Sequence, residues 1–147
     1  MLVAGLCVLA AVAVDVTYVA VHGHGPTSAA EAAYPLPEVT GVLGLHDRLY
    51  AVRSVATVGG PCKGLGNYDG FLGGTPVVVK DQNGAVVATG ALDIGKVAPG
   101  ASCEFAFAVQ AVPKADLYQF EVGGRPAGAY RYDDLVARQW QVTLSLR

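Results

Sequence analysis

The chain has 147 residues, of which 52% are hydrophobic and only 15% are charged, and its formal net charge is −2 at pH 7. This length suits one domain with an appendage. From Glu38 onward the numbers of basic and acidic residues are equal, so the sequence lacks the basic surface that nucleic-acid-binding proteins carry, and it predicts no nucleic-acid partner.

Residues Met1–Val21 form an apolar run in which Asp15 is the one charged residue. At 1.5 Å per residue such a helix could just cross a hydrocarbon core about 30 Å thick. The alternative is a cleavable signal peptide, for which Ala30-Glu31-Ala32 offers a cleavage site of the A-x-A type. Both interpretations predict an extracytoplasmic protein, anchored in the membrane through residues 1–21 or secreted. Residues 22–37, rich in Gly and Pro, are predicted to form a flexible linker.

The remaining part, residues 38–147, contains short apolar segments that alternate with polar residues and are separated by Gly and Pro. This pattern predicts about seven strands and no long helix, and hence an antiparallel β-sandwich of the immunoglobulin-like or transthyretin-like kind. A helical turn is predicted to begin at Asp133-Asp134, where acidic residues are favoured. The predicted strands are Val39–Leu45, Leu49–Val58, Thr75–Lys80, Ala85–Thr89, Glu104–Val112, Tyr118–Val122 and Trp140–Leu146.

Asn83-Gly84 lies between two valine-rich runs and is the strongest local signal in this part of the chain. An Asn-Gly pair in that position favours a two-residue hairpin turn, because both residues accept a positive φ. The sequence therefore predicts that the strands before and after this turn pair antiparallel.

Cys62 and Cys103 are the cysteines that lie outside the apolar N-terminal run. Their spacing fits neither a C-x-x-C redox pair nor a zinc knuckle. In an exported domain two such residues are expected to form a disulfide, which would stabilise the fold by roughly 4 kcal/mol in the chain-entropy model. The alternative is a pair of free, buried thiols.

The Gly-rich loop Gly59–Gly74 superficially resembles a phosphate-binding loop. It lacks the G-K-[ST] of such loops, and no amphipathic helix follows it, so we interpret it as a structural Ω-loop. An enzyme with a site around Asp69 in this loop is the rival hypothesis. It requires a deep pocket with convergent polar groups.

The histidines do not form a metal-binding pattern. His46 lies alone in the β-domain, and the His22-x-His24 pair in the linker lacks the third and fourth ligands of a structural site. A copper centre on a β-sandwich would need more histidines and usually a methionine. The sequence therefore predicts no metal and no cofactor.

Three blocks of the β-domain resemble a recurring pattern in exported or membrane-anchored actinobacterial proteins of unknown function. They are Pro61–Asp69 (P-C-x-G-x-G-x-Y-D), Val77–Gly90 and Cys103–Pro113, followed by Tyr118–Val122 and Leu144–Leu146. The resemblance covers just over half of the chain and implies a disulfide-stapled β-sandwich outside the cytoplasm, without an assigned activity. The middle block is also similar to transthyretin-type and carboxypeptidase-regulatory-type sandwiches through its D-x-x-G hairpin.

These observations predict a non-catalytic extracytoplasmic module that binds a protein partner or assists an assembly of the cell envelope. One alternative is a small accessory subunit of a membrane protein complex, in which residues 1–21 pack on partner helices; the other is the enzyme with its site near Asp69. The predicted contact surface consists of aromatic residues in loop or edge segments, since aromatic side chains dominate interface energetics: Tyr68, Phe71, Tyr130 and Tyr132. The alternative is that these side chains cap the core.

Overall fold

The computed structural model describes residues 35–46, 57–100 and 102–146. They contain nine strands, one 3₁₀ turn at Gly66–Tyr68 and one short helix, α1, at Tyr132–Ala137. The strands are β1 Val39–Leu45, β2 Pro61–Cys62, β3 Pro76–Lys80, β4 Val86–Leu92, β5 Gly95–Ala98, β6 Ser102–Val109, β7 Leu117–Val122, β8 Arg125–Arg131 and β9 Gln141–Leu144.

The strands form one hydrogen-bonded sheet that folds into two halves, as in a sandwich. One half has the order β9-β1-β6-β5-β2, and the other has the order β4-β3-β7-β8. The halves are joined where β4 pairs with β6 at Ala91↔Ala108 and Leu92↔Phe107. All pairings are antiparallel except that of β1 with β9, which is parallel. The predicted antiparallel, mostly β architecture is confirmed, with about nine strands rather than seven.

The core follows from alternation along the central strands. On β6 the side chains of Phe105, Phe107 and Val109 are buried, whereas Glu104, Ala106 and Ala108 between them are exposed. The same period of two on β7 buries Tyr118, Phe120 and Val122. Because strand side chains alternate between the two faces of a sheet, one face of each strand supplies the single core that both halves share.

The hairpin between β3 and β4 is confirmed, but its turn differs from the predicted type. Gly84 has φ 80°, whereas Asn83 keeps a negative φ. The N–H of Gly84 bonds to the carbonyl of Asp81 (3.0 Å), and the Asp81 carboxylate accepts bonds from the backbone N–H groups of Asn83 (2.8 Å) and Ala85 (2.9 Å). The loop is therefore a three-residue turn in which only Gly84 has a positive φ, and the Asp81 side chain holds the turn through its two hydrogen bonds.

Three strands were not predicted from the sequence: β2, β5 and β8. Strand β8 reads Arg-Pro-Ala-Gly-Ala-Tyr-Arg, a composition with weak strand propensity. Its signal was the preceding pair Gly123-Gly124, with φ 56° and 78°, which forms the two-residue hairpin to β7.

Other predicted segments also differ in extent. Strand β4 runs to Leu92, beyond the predicted Thr89. Strand β6 ends at Val109, before the predicted Val112, because Ala111 has φ 54° and interrupts the extended backbone. Trp140 precedes β9, with φ 61° and a half-buried side chain, rather than belonging to the closing strand. The predicted strand Leu49–Val58 lies outside the described residues, except that Thr57 and Val58 are not in a strand.

Residues 1–34 lie outside the described residues. The predicted anchor or signal and most of the predicted linker fall there. Within the described ranges no helix is both long and apolar enough for a membrane crossing.

Candidate functional site

Cys62 and Cys103 are joined in a disulfide, which confirms the predicted pairing. Their Cα atoms are 5.9 Å apart, within the usual range for this bond. In the sheet, Cys62 of β2 lies opposite Gly95 of β5, and Cys103 of β6 lies opposite Val97 of β5. The bond therefore ties the marginal two-residue strand β2 to the centre of the sheet.

The Gly-rich loop next to the disulfide closes on itself. The N–H of Gly64 bonds to the carbonyl of Phe71 (2.6 Å), and the N–H of Phe71 bonds to the carbonyl of Tyr68 (3.1 Å). Gly64 is required here because a Cβ atom at this position would collide with the Tyr68 carbonyl oxygen. The loop has the compact, self-packed form of an Ω-loop.

Asp69, the residue of the enzyme hypothesis, lies exposed on this loop. Its backbone N–H bonds to the carbonyl of Gly66 at 3.1 Å. None of the three grooves described below is lined by Asp69. The geometry around Asp69 therefore adds no support to the enzyme hypothesis.

Tyr68 and Phe71 pack edge to face, with ring centroids 6.5 Å apart. The guanidinium of Arg125 lies over both rings, at 5.6 Å from Tyr68 and 5.8 Å from Phe71, and its Nη1 donates to the carbonyl of Asn67 (3.1 Å). Phe71 is only 7% exposed and belongs to the core. This pair of rings therefore fixes the loop to the start of β8.

Tyr130 and Tyr132 lie at the other end of β8. The Tyr130 hydroxyl donates to the carbonyl of Thr143 (2.6 Å) and accepts from the Thr143 N–H (3.2 Å), which attaches β8 to β9. The Tyr132 ring packs edge to face against the Trp140 ring, with ring centroids 5.8 Å apart. The Lys114 ammonium lies 4.7 Å from the centroid of the Tyr132 ring.

The four predicted contact residues therefore do not form one surface. Strand β8 separates Tyr68 and Phe71, held by Arg125 at its start, from Tyr130 and Tyr132 at its end, and seven extended residues span about 20 Å. Tyr68, Tyr130 and Tyr132 are half-buried and pack against the core. These contacts favour the alternative interpretation, in which the rings cap the core.

The sequence reasoning missed the role of Tyr118. This fully buried tyrosine accepts a hydrogen bond from the N–H of Ala115 (2.9 Å) and donates one to the carbonyl of Pro113 (3.1 Å). It thereby fixes the connection in which the chain leaves β6 and enters β7. Burial raises the pKa of the Tyr118 phenol, and the bond from Ala115 opposes that rise. A tyrosine a few residues after a proline, at the start of an apolar strand, was the available signal.

The largest described groove lies on the outer face of the β9-β1-β6 half and has a volume of about 730 Å³. The register of β1 with its neighbours sets Val42 between Ala106 of β6 and Thr143 of β9, so the floor is made of small side chains. Asp93 and Arg138 are the charged residues along it. The uncharged lining residues are Thr40, Gly41, Val42, Ala106, Phe107, Ala108, Gln141, Val142 and Thr143.

Two smaller grooves lie elsewhere on the same unit. One, of about 270 Å³, lies over β7 and β8 and includes Gln119 and Glu121. The other, of about 640 Å³, lies at the start of α1 among Lys114, Asp116 and Arg131. In the part of the chain that the structure describes, no group of three or more His, Cys, Asp and Glu side chains is arranged to hold a metal ion.

The chain matches no family model, no curated protein and no solved structure. The resemblance to exported actinobacterial proteins therefore stays a prediction.

Proposed function

We propose that this protein is a non-catalytic, extracytoplasmic binding module of the cell envelope, anchored or secreted, and that it binds a partner in the groove over β9-β1-β6. The groove is the observation that carries the proposal. Its occupant is an extended polypeptide segment of an envelope protein.

The lining of the groove is compatible with an extended chain. It follows three adjacent strands, and small, uncharged side chains such as Val42, Ala106 and Thr143 leave room for a second layer on the sheet. Asp93 and Arg138 supply one charge of each sign, which would orient a chain carrying the complementary charges. A groove of this size is within the range of ligand-binding clefts.

The extracytoplasmic location is supported by the disulfide. Disulfides persist in oxidising compartments and are rare in the cytosol, and Cys62–Cys103 is consistent with such a location. The apolar run Met1–Val21 would supply either the export signal or the anchor.

An immunoglobulin-like or transthyretin-like relationship is part of the same proposal. It is supported by Tyr118, whose hydroxyl bonds back to the backbone upstream of β7, as in the tyrosine corner of Greek-key sandwiches. The parallel pairing of β9 with β1 would then be an addition to that architecture. Sandwiches of this kind serve many unrelated functions, so the groove and not the fold carries the functional proposal.

The binding proposal is tested by filling the groove. In the Ala106→Trp variant an indole would occupy the floor, and we expect the partner that is chemically crosslinked to the wild-type protein in intact cells to be lost. Ala129→Trp is the matched control, because Ala129 is also an exposed strand alanine but lies on β8. The proposal fails if the wild-type protein gives no specific adduct, or if both variants crosslink equally.

The location is tested separately with a membrane-impermeant maleimide on intact cells. A cysteine introduced at exposed Gln82 should be labelled without lysis, whereas a cytoplasmic protein would be labelled only after lysis. Gln82 lies in the β3–β4 turn, away from the residues that line the groove.

A further inference from the structure

Strand β4 is paired along one side but only at its end on the other. On the first side its register with β3 runs from Lys80↔Val86 to Pro76↔Ala91. On the second side its register with β6 contains only Ala91↔Ala108 and Leu92↔Phe107. Gly90 lies against the end of β6, since a Cβ atom there would be 2.5 Å from the Ala108 carbonyl oxygen. Residues 86–89 therefore form an edge of the sheet in the described part of the chain.

The direction of the backbone groups shows what this edge offers. The N–H of Leu92 bonds to the carbonyl of Thr75 beside β3, and the N–H of Asp93 bonds to Ala106 of β6. Successive residues of a strand point their backbone groups to opposite sides, and the register from Thr89 to Ala91 is regular. The N–H and C=O of Thr89 therefore point away from β3, into the open side.

Strand β6 reaches Gly90 but does not extend along residues 86–89, because it ends at Val109. Ala111, with φ 54°, redirects the chain, and the N–H of Val112 then bonds to the carbonyl of Pro37 before β1. The segment that follows β6 thus turns away from β4 at the point where the unpaired part of β4 begins.

The β4 edge also lacks the features that normally protect an edge strand. Edge strands are usually blocked by charged residues, proline or a covering segment. The outer strand β8 has all three, with Arg125, Pro126 and a bond from the N–H of Ser145 in the β9 segment to the Ala127 carbonyl. In contrast, β4 reads Val-Val-Ala-Thr-Gly-Ala-Leu, without charge or proline, and Val86 is 57% exposed.

We propose that β4 pairs antiparallel with β4 of a second copy of this chain, forming a symmetric dimer with a sheet continuous across both copies. An unpaired strand edge is satisfied by another extended backbone, and an uncharged edge can pair with itself without like-charge repulsion. Because both copies use the same edge, such a pair closes at two copies instead of continuing into a fibre, and the outer strand β8 is blocked. This inference concerns a different surface from the groove and is independent of the proposed function.

The test is the oligomeric state of the full-length chain in a mild detergent, measured by sedimentation over a range of protein concentrations. We expect the wild-type protein to move from one copy to two as concentration rises. Thr89→Pro removes the N–H that points into the open edge, a position where proline is tolerated in edge strands. It should weaken the dimer by about tenfold or more, since at least two backbone hydrogen bonds across the pair are lost.

Thr89→Lys provides a second variant that keeps the backbone N–H. It places like charges across the pair and should also favour the monomer. Ala129→Lys, on exposed β8, is the matched control and should dimerise like the wild type. A wild-type protein that stays monomeric throughout overturns the proposal, as does a dimer that persists unchanged in Thr89→Lys, which would indicate association through another part of the chain.

Discussion

Tyr118 illustrates how one buried polar group determines a connection. Its hydroxyl holds Ala115 and Pro113 in place at the point where the chain passes from β6 to β7. A buried hydroxyl without partners would destabilise the fold, so the two bonds make the position specific for tyrosine rather than for any large apolar residue.

Tyr118→Phe should therefore lower the free energy of unfolding by about 1–3 kcal/mol, because it leaves two backbone groups without their partner while keeping the ring packed. Chemical denaturation monitored by Trp140 fluorescence would measure this. Tyr132→Phe is the control, since the described contacts of Tyr132 involve its ring, and it should change stability by less than about 0.5 kcal/mol.

The same residue predicts a pH dependence. Burial, the largest cause, raises the pKa of folded Tyr118 above 10.0, its ordinary value in the unfolded chain. The folded state then retains a proton that the unfolded state loses. The corresponding stability is fully present below pH 10.0 and is lost as the pH rises through the folded pKa. The difference in unfolding free energy between wild type and Tyr118→Phe should shrink above pH 10.0. A constant difference there would contradict this.

At the scale of elements, two hairpins use glycine in different ways. The β7–β8 turn has positive φ at both Gly123 and Gly124, whereas the β3–β4 turn has it only at Gly84, because a three-residue loop is a type I turn followed by one left-handed residue. The Asp81 carboxylate supports this turn through the N–H groups of Asn83 and Ala85. Both hairpins pair strands that follow each other in the sequence, so each can form early and locally.

Gly84→Ala should destabilise the domain by about 1 kcal/mol, because an L-residue at φ 80° brings its Cβ atom close to the carbonyl oxygen. Thermal unfolding followed by circular dichroism would measure the loss. Gly44→Ala on β1 is a matched control: its φ is not positive, and the nearest described atoms to a new Cβ belong to the His46 side chain at 3.3 Å. An equal loss in both variants would show that side-chain addition and not backbone conformation is responsible.

At the scale of the whole molecule, two long-range features hold the sheet together. The disulfide connects the Gly-rich segment to β6 over 41 residues, and β9, near the end of the chain, pairs with β1, near the start of the described domain. Gly41 makes the second contact possible, because a Cβ there would lie 2.5 Å from the Val142 carbonyl oxygen.

Replacing both cysteines by alanine, Cys62→Ala with Cys103→Ala, should lower stability by roughly 4 kcal/mol in the chain-entropy model for a loop of this length. Thermal unfolding with and without reductant would test it: reductant should lower the melting temperature of the wild type but not that of the double variant. Cys7→Ala, in the apolar N-terminal run, should behave like the wild type. If reductant leaves the wild-type melting temperature unchanged, the bond is not a stabilising element.

Much of the architecture was predictable because it follows from local patterns. The alternation in Phe105-Ala106-Phe107 and Tyr118-Gln119-Phe120 places alternate side chains in the core, and this period predicts strands without knowledge of their neighbours. The Asn-Gly signal located a hairpin correctly but not its turn geometry, because the bonds from the Asp81 side chain compete with the two-residue form.

The sequence by itself thus determined the β class, the buried faces of the central strands and the candidate cysteine pair, since each depends on residue type and short-range spacing. Tertiary structure alone decided that β9 pairs parallel to β1 and that the four predicted contact tyrosine and phenylalanine residues lie in two places. It also created the groove and the open edge of β4. These features arise where strands far apart in the chain meet or diverge, and no local pattern encodes the distance between them.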